Sequence, residues 1–276
     1  MTSPQPFFRE AGTGPAVVCL HSNASTSSQW TPLIERLAPD FHVIAVDSYG
    51  AGKSPEWPSD RVIALRDEVA LIEPVLARAG APLVLVGHSY GAAVALIAAL
   101  DRPERVRGLA LYEPTLFSVI DGEKPPPNDG DGIANAVAAA AAALDAGDRD
   151  AAAAHFIDYW MGPGSWRDTP EKRKPAIAAS IVNVRRWRHA LVTEPTPLAA
   201  FARLDVPVLY LTGGRSTVAA HAVARLLCSV LPRVERAEIA DAGHMGPITH
   251  AGVVNDAIAQ FLARLPRAPR AGSSRP

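Results

Sequence analysis

The sequence predicts an α/β protein with a mainly parallel, doubly wound sheet and one helical insertion. Three observations carry that expectation. Short apolar runs, Ala16–Leu20, Phe41–Val46, Leu83–Val86 and Val106–Tyr112, alternate with segments of helical spacing. The alternation then stops, and Thr115 to Leu204 contains no run that reads as a buried strand. It resumes at Val206–Leu211 and continues to Leu265.

Taken in order, Phe7–Glu10 reads as an edge strand that ends at Ala11-Gly12-Thr13-Gly14-Pro15. Ala16–Leu20 is apolar throughout, as a strand buried on both faces should be. Ser28 to Leu37 carries Trp30, Leu33, Ile34 and Leu37 at helical spacing. Phe41–Val46 is another buried strand, followed by the glycine-rich loop Asp47 to Ser54. Val62 to Ala79 reads as a helix that Pro74 weakens locally. Val106–Tyr112 is a strand that ends at Glu113-Pro114. In the insertion, alanine-rich Ile133–Leu144 and Ala151–Trp160 read as helices, and a third covers Ile177–Leu191. Val218–Leu231 and Val253–Leu265 are helices, with a strand at Val234–Ile239 between them. The basic tail from Pro266 to Pro276, rich in Pro, Gly and Ser, is expected to be disordered. The expected organisation is a core of residues 1–114 and 205–265, an insertion over 115–204, and the tail 266–276.

Of 276 residues, 48% are hydrophobic, enough for a sizeable core. With 27 Lys and Arg against 28 Asp and Glu, no global charge attracts nucleic acid or a membrane surface. MTSPQPFFRE has no basic start followed by an apolar run, so no secretory signal is expected. The longest apolar stretches, Ala92–Leu100 and Ala136–Leu144, fall short of the roughly 20 residues that span a bilayer. Cys19 and Cys228 belong to no C-x-x-C pair, and no disulfide framework is expected. The expectation is a soluble cytoplasmic protein, with neither nucleic acid nor a membrane as its partner.

The chemistry centres on Leu83 to Leu100. A strand enters Gly87-His88-Ser89-Tyr90-Gly91, and an apolar helix leaves it. A serine on so tight a turn is held clear of the sheet, and glycines on both sides allow close approach to the helix. Here the sequence resembles the α/β-hydrolase family, from about Phe7 to Leu265. The resemblance implies a serine nucleophile, Ser89, and the chain order Ser, acid, His. His244, just past the last strand in Ala242-Gly243-His244-Met245-Gly246, fits that order as the base. His88 should point away from the nucleophile. His155, His189 and His221 read as structural or surface residues.

Most members of the family place an aspartate after the strand that corresponds to Val206–Leu211. Here that loop reads Thr212-Gly213-Gly214-Arg215-Ser216-Thr217, without a carboxylate. Some members carry the acid one strand earlier, and this chain has Glu113 there. Glu113 is therefore expected to orient His244 and stabilise its protonated form. Its structural alternative is a helix cap or a pair with Arg185. Rivals for the acid role are Asp241, Asp205, and Ser216 or Thr217 with a water.

The oxyanion donors implied are the backbone N–H groups of Tyr90 and Asn23. Ser22 stands where the family's His-Gly loop has glycine. Gly50 to Ser54 lacks the spacing of a phosphate loop and reads as structural. No histidine pair or His/carboxylate cluster stands at ligand spacing, so neither metal nor cofactor is implied. The insertion resembles the family's helical cap. Its aromatics Phe117, Phe156, Tyr159, Trp160, Trp166 and Trp187 serve packing or line a pocket. Arg185, Arg186 and Arg188 read as a solvated face, with contact to an anionic substrate as the other use.

The resemblance implies a serine hydrolase that cleaves a carboxylic ester of a small-molecule substrate through an acyl-enzyme. C–C hydrolysis, lactone opening, perhydrolysis and acyl transfer use the same residues and stay open. A non-catalytic ligand receptor is the alternative of another class.

Overall fold

The structure, a computed structural model, describes residues 4–266. Seven strands form one sheet in the order β1-β3-β2-β4-β5-β6-β7. These are β1 (Phe8–Ala11), β2 (Ala16–Leu20), β3 (His42–Val46), β4 (Leu83–His88), β5 (Val106–Tyr112), β6 (Val208–Gly213) and β7 (Val234–Ile239). Among the described residues only the edge pair β1 and β3 is antiparallel. The parallel pairings need crossover helices, which cover both faces of the sheet.

Burial on both faces explains the unbroken apolar runs of β2 and β4. Side chains alternate between faces. Val18, Leu20, Ile44 and Leu85 join one apolar layer with α2 (Leu65–Ala79), α3 (Tyr90–Asp101) and α10 (Val218–Val230). Val17, Cys19, Val84 and Val86 join the other with α1 (Thr31–Leu37) and α12 (Ala251–Arg264). Fully burying each Val or Leu stabilises by roughly 1.5–3 kcal/mol.

Between β5 and β6 lie α4 (Ser118–Glu123), α5 (Asp131–Asp145), α6 (Arg149–Met161), α7 (Ser165–Asp168), α8 (Lys174–Ser180) and α9 (Val184–Val192). The single helix expected over Ile177–Leu191 is divided by a tight turn at Ile181–Asn183. That turn buries Ile181 and Asn183 and leaves Val182 exposed, a face change that one continuous helix cannot make. The short α4, α7 and α11 (Gly246–Thr249) were also absent from the periodicity, being about one turn each. Pro74 does not end α2, because Leu71, Ile72, Val75 and Leu76 anchor the turns on either side in the core. The expected disorder of Pro266–Pro276 concerns residues that, Pro266 apart, lie outside the described ones.

The turn between β4 and α3 explains its own glycines. A Cβ on Gly87 would lie 2.4 Å from Ala92 Cα. One on Gly91 would lie 2.4 Å from the Leu20 carbonyl oxygen and 2.5 Å from that of His21. The obstacles are backbone, so they cannot rotate away. Gly91→Ala is expected to destabilise the protein by about 1–3 kcal/mol through overpacking. Thermal unfolding checks this, and an unchanged Tm would mean that β2 yields to the methyl group.

Candidate active site

Three non-glycine residues have positive φ among the described residues: Ala24 (54°), Ser89 (55°) and Glu113 (46°). Each lies just beyond the carboxyl end of a parallel strand, where open α/β sheets bind ligands. Ser89, with ψ of −117°, sits on the sharp turn into α3, and its N–H donates to the Tyr112 carbonyl at 2.9 Å. That bond ties the turn to the end of β5, from which Glu113 departs. The strained backbone is confined to the loops that carry the candidate site.

Ser89 Oγ lies 2.9 Å from His244 Nε2. His244 Nδ1 lies 2.7 Å from Glu113 Oε2. A carboxylate can only accept here, so Nδ1 carries the proton and Nε2 is free to accept the Ser89 hydroxyl. Ser89, His244 and Glu113 are 5%, 2% and 0% exposed, so water does not compete for these bonds. The other oxygen of Glu113, Oε1, accepts from the Gly213 N–H at 2.6 Å and from the Ser216 hydroxyl. Ser216 therefore contacts Glu113 from the loop in which most of the family would place an acid.

The rival acids lie elsewhere. Asp241 is exposed and pairs with Arg215 at 2.9 Å. Asp205 is exposed and faces Arg233 at 3.9 Å. Arg185 bonds Asp145 and the Ala141 carbonyl rather than Glu113.

Two contacts that sequence reasoning missed hold the histidine loop. The Tyr112 hydroxyl donates to the Gly243 carbonyl at 2.7 Å. His88 Nε2–H donates to the His244 carbonyl at 2.8 Å, so His88 turns from Ser89 yet reaches the loop of His244. Burial holds the His88 imidazole well below its ordinary pKa, which keeps the ring neutral. These pairings join β4 and β5 to a loop more than a hundred residues away, and no local pattern signals them.

The loop after β2 is also tied down. His21 Nδ1–H donates to the Ser22 carbonyl at 2.7 Å, and its Nε2 accepts from the Ser48 N–H at 3.0 Å. Ser22 bonds the Gln29 side chain through its N–H and its hydroxyl, at 3.3 and 3.0 Å. Asp47 accepts from the N–H groups of Ser27 and Lys53, at 2.6 and 3.0 Å, so the Gly50–Ser54 loop is built around a buried carboxylate. The Asn23 N–H has no partner among the described residues, and Asn23 faces the same cavity as Ser89. Tyr90 opens α3, where an N–H has no acceptor within the helix. Its side chain points away and meets buried Glu68 at 3.3 Å, a carboxyl whose pKa burial pushes up to about 7.

Over Ser89 and His244 the helices between β5 and β6 enclose a cavity of about 310 Å³. Phe117, Phe156, Trp160 and Trp187 line it, while Tyr159 and Trp166 do not. Trp166 instead donates its indole N–H to Asp150 at 2.9 Å. The Trp160 ring stacks on the His244 imidazole with centroids 3.9 Å apart and an interplanar angle of 24°. Phe117, in parallel, and Tyr159, at its edge, pack on Trp160 with centroids 6.4 and 4.9 Å away. Among the described residues no group of His, Cys, Asp and Glu could hold a metal ion, and no helix is long and apolar enough to cross a membrane.

A strained serine on a strand–helix turn, backed by a histidine and a buried carboxylate, places the chain among the hydrolases. It belongs to the α/β hydrolase fold family, whose model matches residues 15–251. It is 28% identical to a pimeloyl-[acyl-carrier protein] methyl ester esterase of Xanthomonas oryzae, over 92% of this chain and 98% of that protein. A 2-(acetamidomethylene)succinate hydrolase of Mesorhizobium japonicum is 37% identical, over 40% of this chain and 39% of that one. Among solved structures, an α/β hydrolase from Sphaerobacter thermophilus superposes with a TM-score of 0.71 at 29% identity, covering 93% of this chain and 94% of its own.

Proposed function

We propose that the chain is a serine esterase that cleaves small carboxylic esters through Ser89, His244 and Glu113. The observation that carries this reading is the relay from Ser89 Oγ to His244 Nε2 (2.9 Å) and from His244 Nδ1 to Glu113 (2.7 Å), opening on an apolar cavity. His244 takes the Ser89 proton as Oγ attacks the carbonyl carbon, then returns it to the leaving alcohol. Glu113 holds the imidazole in the Nδ1–H tautomer and offsets the charge of the imidazolium. The N–H groups of Asn23 and Tyr90 hold the oxyanion, and removal of one such donor typically costs about 10²–10³ in rate. Water, activated by His244, then releases the acyl group.

The segment 115–204 acts as a cap that excludes water and sizes the substrate. A cavity of about 310 Å³ is at the small end of ligand pockets, roughly 300–1,000 Å³, so short or medium acyl chains fit it best. The ester-cleaving relative that aligns over nearly its whole length supports this class of substrate. A cytoplasmic setting belongs to the same proposal, and recovery of the chain in a membrane or secreted fraction would overturn that part.

The test is hydrolysis of p-nitrophenyl esters from acetate to long acyl chains, with a fluorophosphonate probe of the nucleophile. Turnover and labelling are expected, and both should vanish in Ser89→Ala. Labelling without ester turnover would redirect the reading to C–C hydrolysis or acyl transfer. The absence of both would favour a receptor.

Trp160 enters this mechanism through the imidazolium, which exists only after proton transfer. A cation over an indole face gains about 0.5–2 kcal/mol. Stabilisation present only in the transition state raises kcat rather than lowering KM. Trp160→Leu keeps an apolar roof and removes the π face. It is expected to lower kcat by about 2- to 30-fold, and Trp160→Phe by less. Equal kcat in all three proteins would reduce Trp160 to packing.

A further inference from the structure

Helix α9 contains an arginine where its pattern calls for an apolar residue. Val184, Trp187, Arg188 and Leu191 stand at i, i+3, i+4 and i+7, one face of a helix. All four line the cavity above Ser89. Val184 and Leu191 are buried, and the Trp187 ring lies 5.9 Å from that of Phe156. The other arginines of the helix are engaged outside this face. Arg185 bonds Asp145, and Arg186 bonds Asn183. Arg188 is half-buried and has no carboxylate or hydrogen-bond partner among the described residues. The solvated face expected for these arginines therefore holds for Arg185 and Arg186, which are exposed, and fails for Arg188.

The surroundings reinforce the charge. Arg173, just before α8, also lines the cavity and also lacks a carboxylate partner among the described residues. Asp168, the one carboxylate on the cavity wall among the described residues, is already held by Arg167 through both oxygens, at 2.8 and 3.2 Å. The remaining walls are largely apolar, including Ile133, Val137 and Phe156. A guanidinium half-removed from water beside such walls gains most from an anion that arrives with the ligand.

We infer that Arg188, assisted by Arg173, forms a subsite for a free carboxylate on the substrate, which is an ester with an apolar body and a second, unesterified acid group. The inference rests on the esterase reading for its ester and on the cavity wall for its acid. A planar guanidinium matches a carboxylate in two parallel hydrogen bonds. A carboxylate carries one negative charge, and in a small apolar cavity it costs less to dehydrate than a phosphate dianion. The acid group would orient the ester and place its carbonyl at Ser89, so Arg188 determines specificity rather than taking part in the chemical step.

The experiment compares the mono-p-nitrophenyl ester of adipic acid with p-nitrophenyl hexanoate, its uncharged counterpart of equal chain length. Wild type is expected to favour the acid ester in kcat/KM by about 10- to 100-fold, the range for hydrogen bonds to charged groups. Arg188→Gln should remove most of that ratio. Arg185→Gln, on the outer face of the same helix, should keep it. A wild-type ratio near one, or a ratio that survives Arg188→Gln, would overturn the subsite. The wild-type comparison stands even if a variant fails to fold. Calorimetry of monomethyl adipate against dimethyl adipate on Ser89→Ala separates this idea from the esterase reading. Tighter binding of the acid without turnover of either nitrophenyl ester would keep the subsite and sink the esterase. Equal binding with brisk turnover of both would do the reverse.

Discussion

Ser89→Ala and His244→Ala are each expected to lower kcat on an ester by about 10⁶-fold, with the double variant no slower than either single one. The two atoms act as one unit across 2.9 Å. Without His244 the hydroxyl has no acceptor for its proton, and without Ser89 the base has nothing to activate. Residual rate, about 10³–10⁴ over water, would come from the oxyanion donors and from binding. Overnight hydrolysis of p-nitrophenyl acetate, corrected for trace wild type by active-site titration, measures all three. Losses that multiply in the double variant would mean that the two residues serve separate steps.

Glu113→Gln is expected to cost about 10⁴ in kcat, comparable to disabling the acid of other Ser-His-acid triads. The geometry explains how an isosteric change does this. Gly213 and Ser216 both donate to Oε1, so a glutamine must place its carbonyl oxygen there. Its amide NH₂ then faces His244 Nδ1 in place of Oε2. A donor at that point forces Nδ1 to accept and puts the ring proton on Nε2, where it blocks the Ser89 hydroxyl. Asp241→Asn should leave kcat within about twofold, since an exposed ion pair contributes about 0–1 kcal/mol. A collapse in Asp241→Asn, with near wild-type turnover in Glu113→Gln, would reverse the assignment of the acid.

Much of this molecule is legible along the chain because the signals are local. An apolar pentapeptide such as Ala16–Leu20 can be satisfied only by burial on both faces, and it became the strand β2 inside the sheet. Gly87 marks a turn whose own backbone, at Ala92, leaves no room for a Cβ, whereas the room denied at Gly91 is taken by the end of β2. Between Tyr112 and Val208 no short apolar run of strand length occurs, and helices α4 to α9 occupy that span.

Where those elements meet was not written locally. Ser216 reads as a rival for the acid role until the fold brings it to Glu113, 103 positions away, as a donor. His88 reads as a turn residue and Tyr112 as a strand end until their side chains reach the carbonyls of the histidine loop. Trp160 reads as one aromatic among several, and only the packing of α6 over the sheet stacks it on His244. Arg188 belongs to a run of arginines whose members differ only by which face of α9 each occupies and what lies opposite. The physical reason is common to all five residues. Local sequence encodes the period and burial of each element, whereas the partner of a polar or aromatic group is chosen by distant chain segments that share no pattern with it.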